Sequence, residues 1–166
     1  GTLDSKFGFP IETGQAEEAV RRSLKMSNLK LVGLHFHLGS PIFHVEPYQT
    51  AMEIVLEFAS GLREEGLVLE EISPGGGFAI AYTRDQEPPS IAEYAEAIVS
   101  SMVSNCRRLG MEVPRLVVEP GRSIVGRAGV ALYRVGSVKD IPGVRKYVSV
   151  DGGMGDNIRP ALYDAA

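Results

Sequence analysis

The sequence predicts an α/β protein with parallel strands, and three observations carry that prediction. Amphipathic helical segments alternate with short apolar runs in the order α-β-α-β-α-β up to residue 122. The runs are mostly apolar rather than alternating, as expected of strands covered on both faces. Each run ends in a glycine-rich or polar motif: His35-Phe36-His37-Leu38-Gly39-Ser40, then Gly75-Gly76-Gly77-Phe78, then Glu119-Pro120-Gly121-Arg122. In parallel α/β architectures ligands bind at the carboxyl ends of strands. Three strands are too few for a closed eight-stranded barrel, which takes about 250 residues. An open sheet of three would leave hydrophobic edges exposed, so the pattern reads as part of a larger barrel or as a surface that pairs with another chain.

The elements follow from local pattern. Thr13 to Met26 is a predicted helix with Thr13 as N-cap, an apolar stripe of Ala16, Ala19, Val20 and Leu24, and Glu17 and Glu18 in its first turns. Leu29 to His37 is a predicted strand, stopped by Gly39-Ser40-Pro41. Glu46 to Glu65 is a predicted helix, with Pro47 in its first turn and Ala51, Ile54, Val55, Phe58, Ala59 and Leu62 on one face. Leu67 to Ile72 is the next strand. Ser90 and Glu93 form a capping box that opens a helix running to Leu109 and closed by Gly110. Leu116 to Val118 is the third strand. After Arg122 the style changes: Gly129 to Val138 and Arg145 to Val150 are strand-like, with only Lys139 to Val144 between them. Two domains are therefore expected, residues 1–122 and the start of a β-rich unit at 123–166.

Composition excludes several classes. The net charge of −4, with no basic run, argues against a nucleic-acid surface. No apolar run approaches the roughly 20 residues of a membrane helix. The single cysteine, Cys106, cannot form an intrachain disulfide and fits a reducing, cytoplasmic setting. It falls in a helix and reads as buried packing. Gly1 is not an initiating Met, and the chain reads as an internal piece of something longer.

Several residues invite chemistry, each with a plainer alternative. His35 and His37 share one face of a strand with Leu29, Leu31 and Gly33. They could be a metal pair, an imidazole stacked on a planar cofactor, or hydrogen-bonded core histidines. Zinc needs three protein ligands, and His44 is the only other histidine. Gly75-Gly76-Gly77 offers successive N–H groups that suit a phosphate, or is merely a turn; Pro74 and Phe78 around it argue for a fixed conformation. Glu119 could meet a cationic ring nitrogen or a nearby arginine. Past the apolar run Tyr147 to Val150, Asp151-Gly152-Gly153 lets the backbone turn and approach something closely. Asp156, Arg159 and Tyr163 follow, and Pro160 prevents a long helix. A guanidinium and a phenol four residues apart look like part of an anion site, or else an ordinary polar loop.

Together His-x-His-x-Gly-Ser, Gly-Gly-Gly-Phe, Glu-Pro-Gly-Arg and Asp-Gly-Gly-Met-x-Asp-x-x-Arg-Pro-x-Leu-Tyr, in this order, resemble the diaminopimelate decarboxylases. These are fold-type III pyridoxal-phosphate enzymes, with the ornithine and arginine decarboxylases as relatives. The opening Ser5-Lys6-Phe7-Gly8 is similar too, so the resemblance covers nearly the whole chain. It implies the C-terminal part of a (β/α)8 barrel that binds pyridoxal 5'-phosphate, running into a β-rich second domain. It implies that His37 stacks on the pyridine ring and Ser40 lies near the phosphate. Gly76 and Gly77, with the backbone of Gly121 and Arg122, hold that phosphate, and Glu119 pairs with the pyridine nitrogen. The side chains of Arg122, Arg159 and Tyr163 hold the substrate carboxylate, where arginine's bidentate fork suits the work. No metal is implied.

The resemblance further implies a cytoplasmic homodimer that converts meso-diaminopimelate to L-lysine and carbon dioxide. The family's Schiff-base lysine falls upstream of residue 1 and its catalytic cysteine downstream of Ala166, so this stretch alone is expected to be inactive. Lys30 is placed on its strand but on the face opposite His37. The sequence departs from the family at Pro41, often Gln, and at Ser73-Pro74, often Asn-Ile, and neither departure touches an implied contact. The alternatives are a decarboxylase of ornithine, arginine or a carrier-tethered amino acid, a His-x-His metal-dependent barrel hydrolase, and a non-catalytic homologue.

Overall fold

Parallel strands cannot be joined by a tight turn; each needs a crossover, and the helices of this chain supply them. A computed structural model describes residues 6–163, the side chain of Tyr163 excepted, so Ser5 and residues 164–166 of the sequence reading lie outside it. Strands β1 (Gly33–His35), β2 (Glu71–Ser73) and β3 (Arg115–Leu116) form a parallel sheet in the order β1-β2-β3. Gly33 faces Glu71 and His35 faces Ser73; Glu71 in turn faces Arg115. The regular strands are shorter than expected, and before β1 the chain turns at Met26–Leu29, where the Leu29 amide donates to the Met26 carbonyl. The ladder nevertheless continues past the strand ends through Phe36 N to Ser73 O (2.9 Å), Val117 N to Ile72 O (3.0 Å) and Glu119 N to Gly75 O (2.8 Å).

Helix α1 spans Gln15–Leu24, inside the expected 13–26, and Thr13 does not cap it. Gly14 occupies the N-cap position at φ 77°, where a side chain is disfavoured, and the Thr13 hydroxyl donates instead to Pro10 O. Helix α2 spans Glu46–Gly61 and is followed by a 3₁₀ turn at Arg63–Glu65 rather than continuing to Glu65. Its buried face is also rotated from the expected one: Tyr48, Met52, Val55, Leu56 and Ala59 point inward, whereas Ile54 is 49% exposed. Helix α3, Ile91–Arg108, begins as expected, with the Ser90 hydroxyl accepting from Glu93 N and the Glu93 carboxylate accepting from Ser90 N at 2.7 Å.

Helices α2 and α3 lie side by side over the sheet, and their contact is the main core. Tyr48, Met52 and Leu56 meet Tyr94, Ile98, Met102 and Cys106 over Ile72 and Phe78. Burial pushes the Cys106 thiol up from its ordinary pKa. A smaller cluster of Val20, Ala59, Leu62 and Leu67 seats α1. Arg21 on α1 also forks onto the Glu65 carboxylate at 2.6 and 2.7 Å.

Beyond β3 come the short helix α4 (Gly121–Val125) and an antiparallel hairpin, β4 (Val135–Ile141) with β5 (Arg145–Val150). The hairpin's first strand begins and ends later than the expected 129–138, because Lys139 and Asp140 pair with Tyr147 and Lys146 instead of forming a link. Helix α5 (Arg159–Tyr163) carries Pro160 in its first turn, the position where a missing N–H costs nothing. Among the described residues no helix is long and apolar enough to cross a membrane.

Candidate functional site

The three strand ends converge on the triple glycine. From buried Ser73 at the end of β2 the chain passes buried Pro74 and enters Gly75 at φ 73° and, two residues on, Gly77 at φ 87°, values that favour glycine. Space is as restrictive as conformation. A Cβ on Gly75 would stand 2.7 Å from His37 Nδ1, one on Gly76 would stand 2.0 Å from Glu119 O, and one on Gly77 would stand 2.2 Å from Gly39 O. The glycines are therefore walled by the ends of β1 and β3, and His37, Gly39 with its neighbour Ser40, and Glu119 border one cradle. His37, Ser40 and Glu119 are themselves exposed, as groups must be to meet a ligand.

The carbonyls of the cradle face inward to protein donors. The Tyr48 hydroxyl donates to Gly76 O at 2.7 Å, and Ile42 N donates to Gly77 O at 2.8 Å. Neither the Gly76 nor the Gly77 amide has a protein acceptor among the described residues. Bare successive amides between tight walls fit a small anion such as a phosphate.

Arg122 adds positive charge next to Glu119-Pro120. It is half-buried, its guanidinium lies over the Tyr82 ring at 5.6 Å, and its Nη1 is enclosed with no acceptor among the described residues. An enclosed guanidinium nitrogen without an acceptor is costly, and an anionic ligand would satisfy it. Ser123 turns back onto Pro120 O at 2.5 Å, holding the start of α4 beside the end of β3.

The remaining expected residues sit apart from the strands. Arg159 and Tyr163 are the first and last residues of α5, and the Arg159 amide donates to Asn157 Oδ1 at 3.3 Å. Before α5, Asp156 accepts from Gly153 N and Asp151 accepts from Arg134 N. Gly152 makes the close approach that its sequence implied: a Cβ there would fall 2.0 Å from the Tyr133 ring. Lys30 precedes β1 rather than lying on it, and its ammonium pairs with Glu70. Among the described residues no three His, Cys, Asp or Glu side chains stand together as a metal site. Two open grooves of about 610 and 590 Å³ lie elsewhere, one with His44 on its wall and one along α1, and neither is lined by these site residues.

Sequence reasoning missed the residues that fix the cradle. Tyr48 lies outside the apolar face read from the sequence; it is fully buried and its hydroxyl reaches the glycine loop. Tyr94 donates to Ile42 O and accepts from Ala79 N, tying the segments that leave β1 and β2. A tyrosine at a core helix position is the available signal, since a buried phenol needs a partner.

A parallel β/α sheet whose strand ends converge on a glycine cradle defines an α/β domain with a candidate anion site. Residues 1–126 match the family model described as pyridoxal-dependent decarboxylase, pyridoxal binding domain. The chain belongs to that family of decarboxylases, whose cofactor is pyridoxal phosphate. It is 46% identical to a diaminopimelate decarboxylase of Bacillus subtilis over 166 residues, which is 99% of this chain and 38% of that protein. Among solved structures, the diaminopimelate decarboxylase of M. jannaschii in co-complex with L-lysine superposes with a TM-score of 0.89 at 37% identity, covering 98% of this chain and 37% of that one. That of Helicobacter pylori, complexed with L-lysine, gives 0.84 at 32% identity over 99% of this chain and 39% of that one. The chain thus spans less than two fifths of the length of these relatives.

Proposed function

We propose that this chain is the cofactor-holding part of a decarboxylase that converts meso-diaminopimelate to L-lysine and carbon dioxide. The observation that carries the reading is the cradle: three glycines walled by His37, Gly39 and Glu119, with the enclosed, acceptor-less Arg122 Nη1 close behind Glu119 in the chain. In this reading Gly76 and Gly77, with the backbone of Gly121 and Arg122 and the nearby Ser40, hold the cofactor phosphate. His37 lies against the pyridine ring and Glu119 pairs with its nitrogen. The side chains of Arg122, Arg159 and Tyr163 hold the substrate carboxylate, as planar bidentate recognition favours. When bound, pyridoxal phosphate supplies an electron sink for the pair left on the α-carbon as carbon dioxide departs.

The names of the relatives and the L-lysine in two of their structures support the choice of substrate. The same reading divides the chain at residue 122, with 123–166 opening a second, β-rich domain; the separate β4–β5 sheet supports it. It also makes the whole enzyme a cytoplasmic homodimer, in which exposed apolar residues such as Ile124, Val130 and Leu132 would be covered by other parts of the assembly. The test is to purify the full-length enzyme, record the absorbance of bound cofactor, and measure carbon dioxide release from meso-diaminopimelate, ornithine and arginine. Release from meso-diaminopimelate alone is expected. A protein without cofactor absorbance, or one preferring ornithine or arginine, would overturn the assignment.

A further inference from the structure

Ser73 is one of only two polar residues in the buried set among those described, and its hydroxyl makes two contacts. It accepts from the Gly75 amide at 3.3 Å and lies 3.1 Å from His35 Nδ1 across the β1–β2 pairing. A hydroxyl has one proton and two lone pairs. One lone pair of the hydroxyl accepts from Gly75 N–H, and its proton or second lone pair, according to the histidine tautomer, meets His35 Nδ1. Gly75 N–H, Ser73 Oγ and His35 Nδ1 are thereby joined in one chain of hydrogen bonds.

Gly75 is the residue this relay fixes, and Gly75 governs the cradle. Its backbone is in the left-handed region, its Cα lies against the His37 ring, and its carbonyl accepts from Glu119 N at 2.8 Å. Its peptide leads directly into the amides of Gly76 and Gly77. We infer that Ser73, oriented by His35, is a positioning residue for the phosphate amides of this site, setting their direction without touching the ligand. The inference rests on the phosphate-cradle reading above and gives Ser73, where the sequence departs from the family, a part behind the implied contacts rather than among them. The first histidine of the His-x-His pair thereby gains a role distinct from that of His37.

The test uses the full-length enzyme and two probes, pyridoxal phosphate and pyridoxal, which differ only in the phosphate. Equilibrium dissociation constants are measured for both with the wild type, Ser73→Ala, Ser73→Thr and His35→Leu. Ser73→Ala leaves the Gly75 amide unpaired and is expected to weaken pyridoxal phosphate about ten-fold while changing pyridoxal less than about two-fold. Ser73→Thr, which keeps the hydroxyl, should retain most of the wild-type preference, and His35→Leu should fall between Ser73→Thr and Ser73→Ala. Equal weakening of both probes by Ser73→Ala would assign Ser73 a general structural role and overturn the inference; so would an unchanged preference. A wild type that does not distinguish the two probes would instead refute the phosphate cradle itself. If Ser73→Ala does not fold, His35→Leu decides by the same ratio.

Discussion

Removing one oxygen atom tests how the cradle is held. Tyr48→Phe deletes the hydroxyl that donates to Gly76 O at 2.7 Å, and Tyr48 has no solvent-exposed surface. Water therefore cannot replace the lost donor, and the Gly76 carbonyl is left buried with one partner fewer. An unsatisfied buried polar group costs about 1–3 kcal/mol, more than the net value of an ordinary hydrogen bond. No cavity term is added: the ring keeps its place 5.6 Å from Phe78 and 5.8 Å, edge-on, from Tyr94. The loss is thus local to the loop. The assay is native-state hydrogen exchange in the full-length enzyme, read at Ile42, whose amide donates to Gly77 O at 2.8 Å. A local destabilisation of about 1.4 kcal/mol speeds that exchange about ten-fold. The amides of α2 and α3 should change little, because the core between them is intact. Exchange at Ile42 within about two-fold of wild type would refute the reasoning, and so would uniform acceleration across α2 and α3, which would mean that the ring, not the hydroxyl, had mattered.

Gly76→Ala should be harsher, since the new methyl carbon would stand 2.0 Å from Glu119 O and β2 and β3 must part by about 1 Å to admit it, breaking the Glu119 N to Gly75 O bond. Pyridoxal-phosphate affinity of the full-length enzyme, measured by equilibrium dialysis, is expected to fall more than about ten-fold with the helical circular dichroism retained; unchanged affinity would remove the cradle from the cofactor site. The pH dependence follows from the same tyrosine. Burial pushes the Tyr48 hydroxyl from 10.0 up to about 12, so its proton is held more tightly in the folded chain, and its contribution is complete below pH 10 and declines as pH rises from 10 toward 12. Urea midpoints of wild type and Tyr48→Phe should therefore differ by a constant amount from pH 7 to 10 and converge above it; a gap that widened with pH would contradict the assigned direction.

The sequence made the alternation of helices and strands legible because the signals were local. The Ser90–Glu93 reciprocity places the start of α3 to the residue, and the glycine and polar endings of the three strands place the site at one end of the sheet. Boundaries failed where a local signal had two solutions. Thr13 has the chemistry of an N-cap, but its hydroxyl found Pro10 O while Gly14 took the capping position. Ile54 has the right spacing for a buried stripe, but burying Tyr48, Met52 and Leu56 turned the helix the other way. The pairing of Lys139 with Tyr147 is a tertiary choice, invisible to a reading that treats polar residues as links. Residues of the site that act through a partner were equally hidden: nothing in the order of amino acids brings Ser73 to His35, 38 positions away, until the strands are in register.

That blind spot has a physical origin in the glycines themselves. A Gly-Gly-Gly run loses more conformational entropy on ordering than any other tripeptide, so it is preorganised only if its backbone groups are held from outside. Here the holding groups are side-chain hydroxyls drawn from different elements and one backbone amide, itself tied down by a third hydroxyl. Ser73 on β2 accepts from Gly75 N, Tyr48 on α2 donates to Gly76 O, and Ile42 N donates to Gly77 O while Tyr94 on α3 donates to the carbonyl of that same Ile42. Each hydroxyl sits on a regular element whose own position is set by core packing, so the loop inherits the rigidity of the sheet and both helices. The consequence is that the core and the cradle are one structure: loosening the α2–α3 contact would move Tyr48 and Tyr94 and with them the amides of the glycine loop. The motif names the amides proposed to meet the anion, and the core decides where they point.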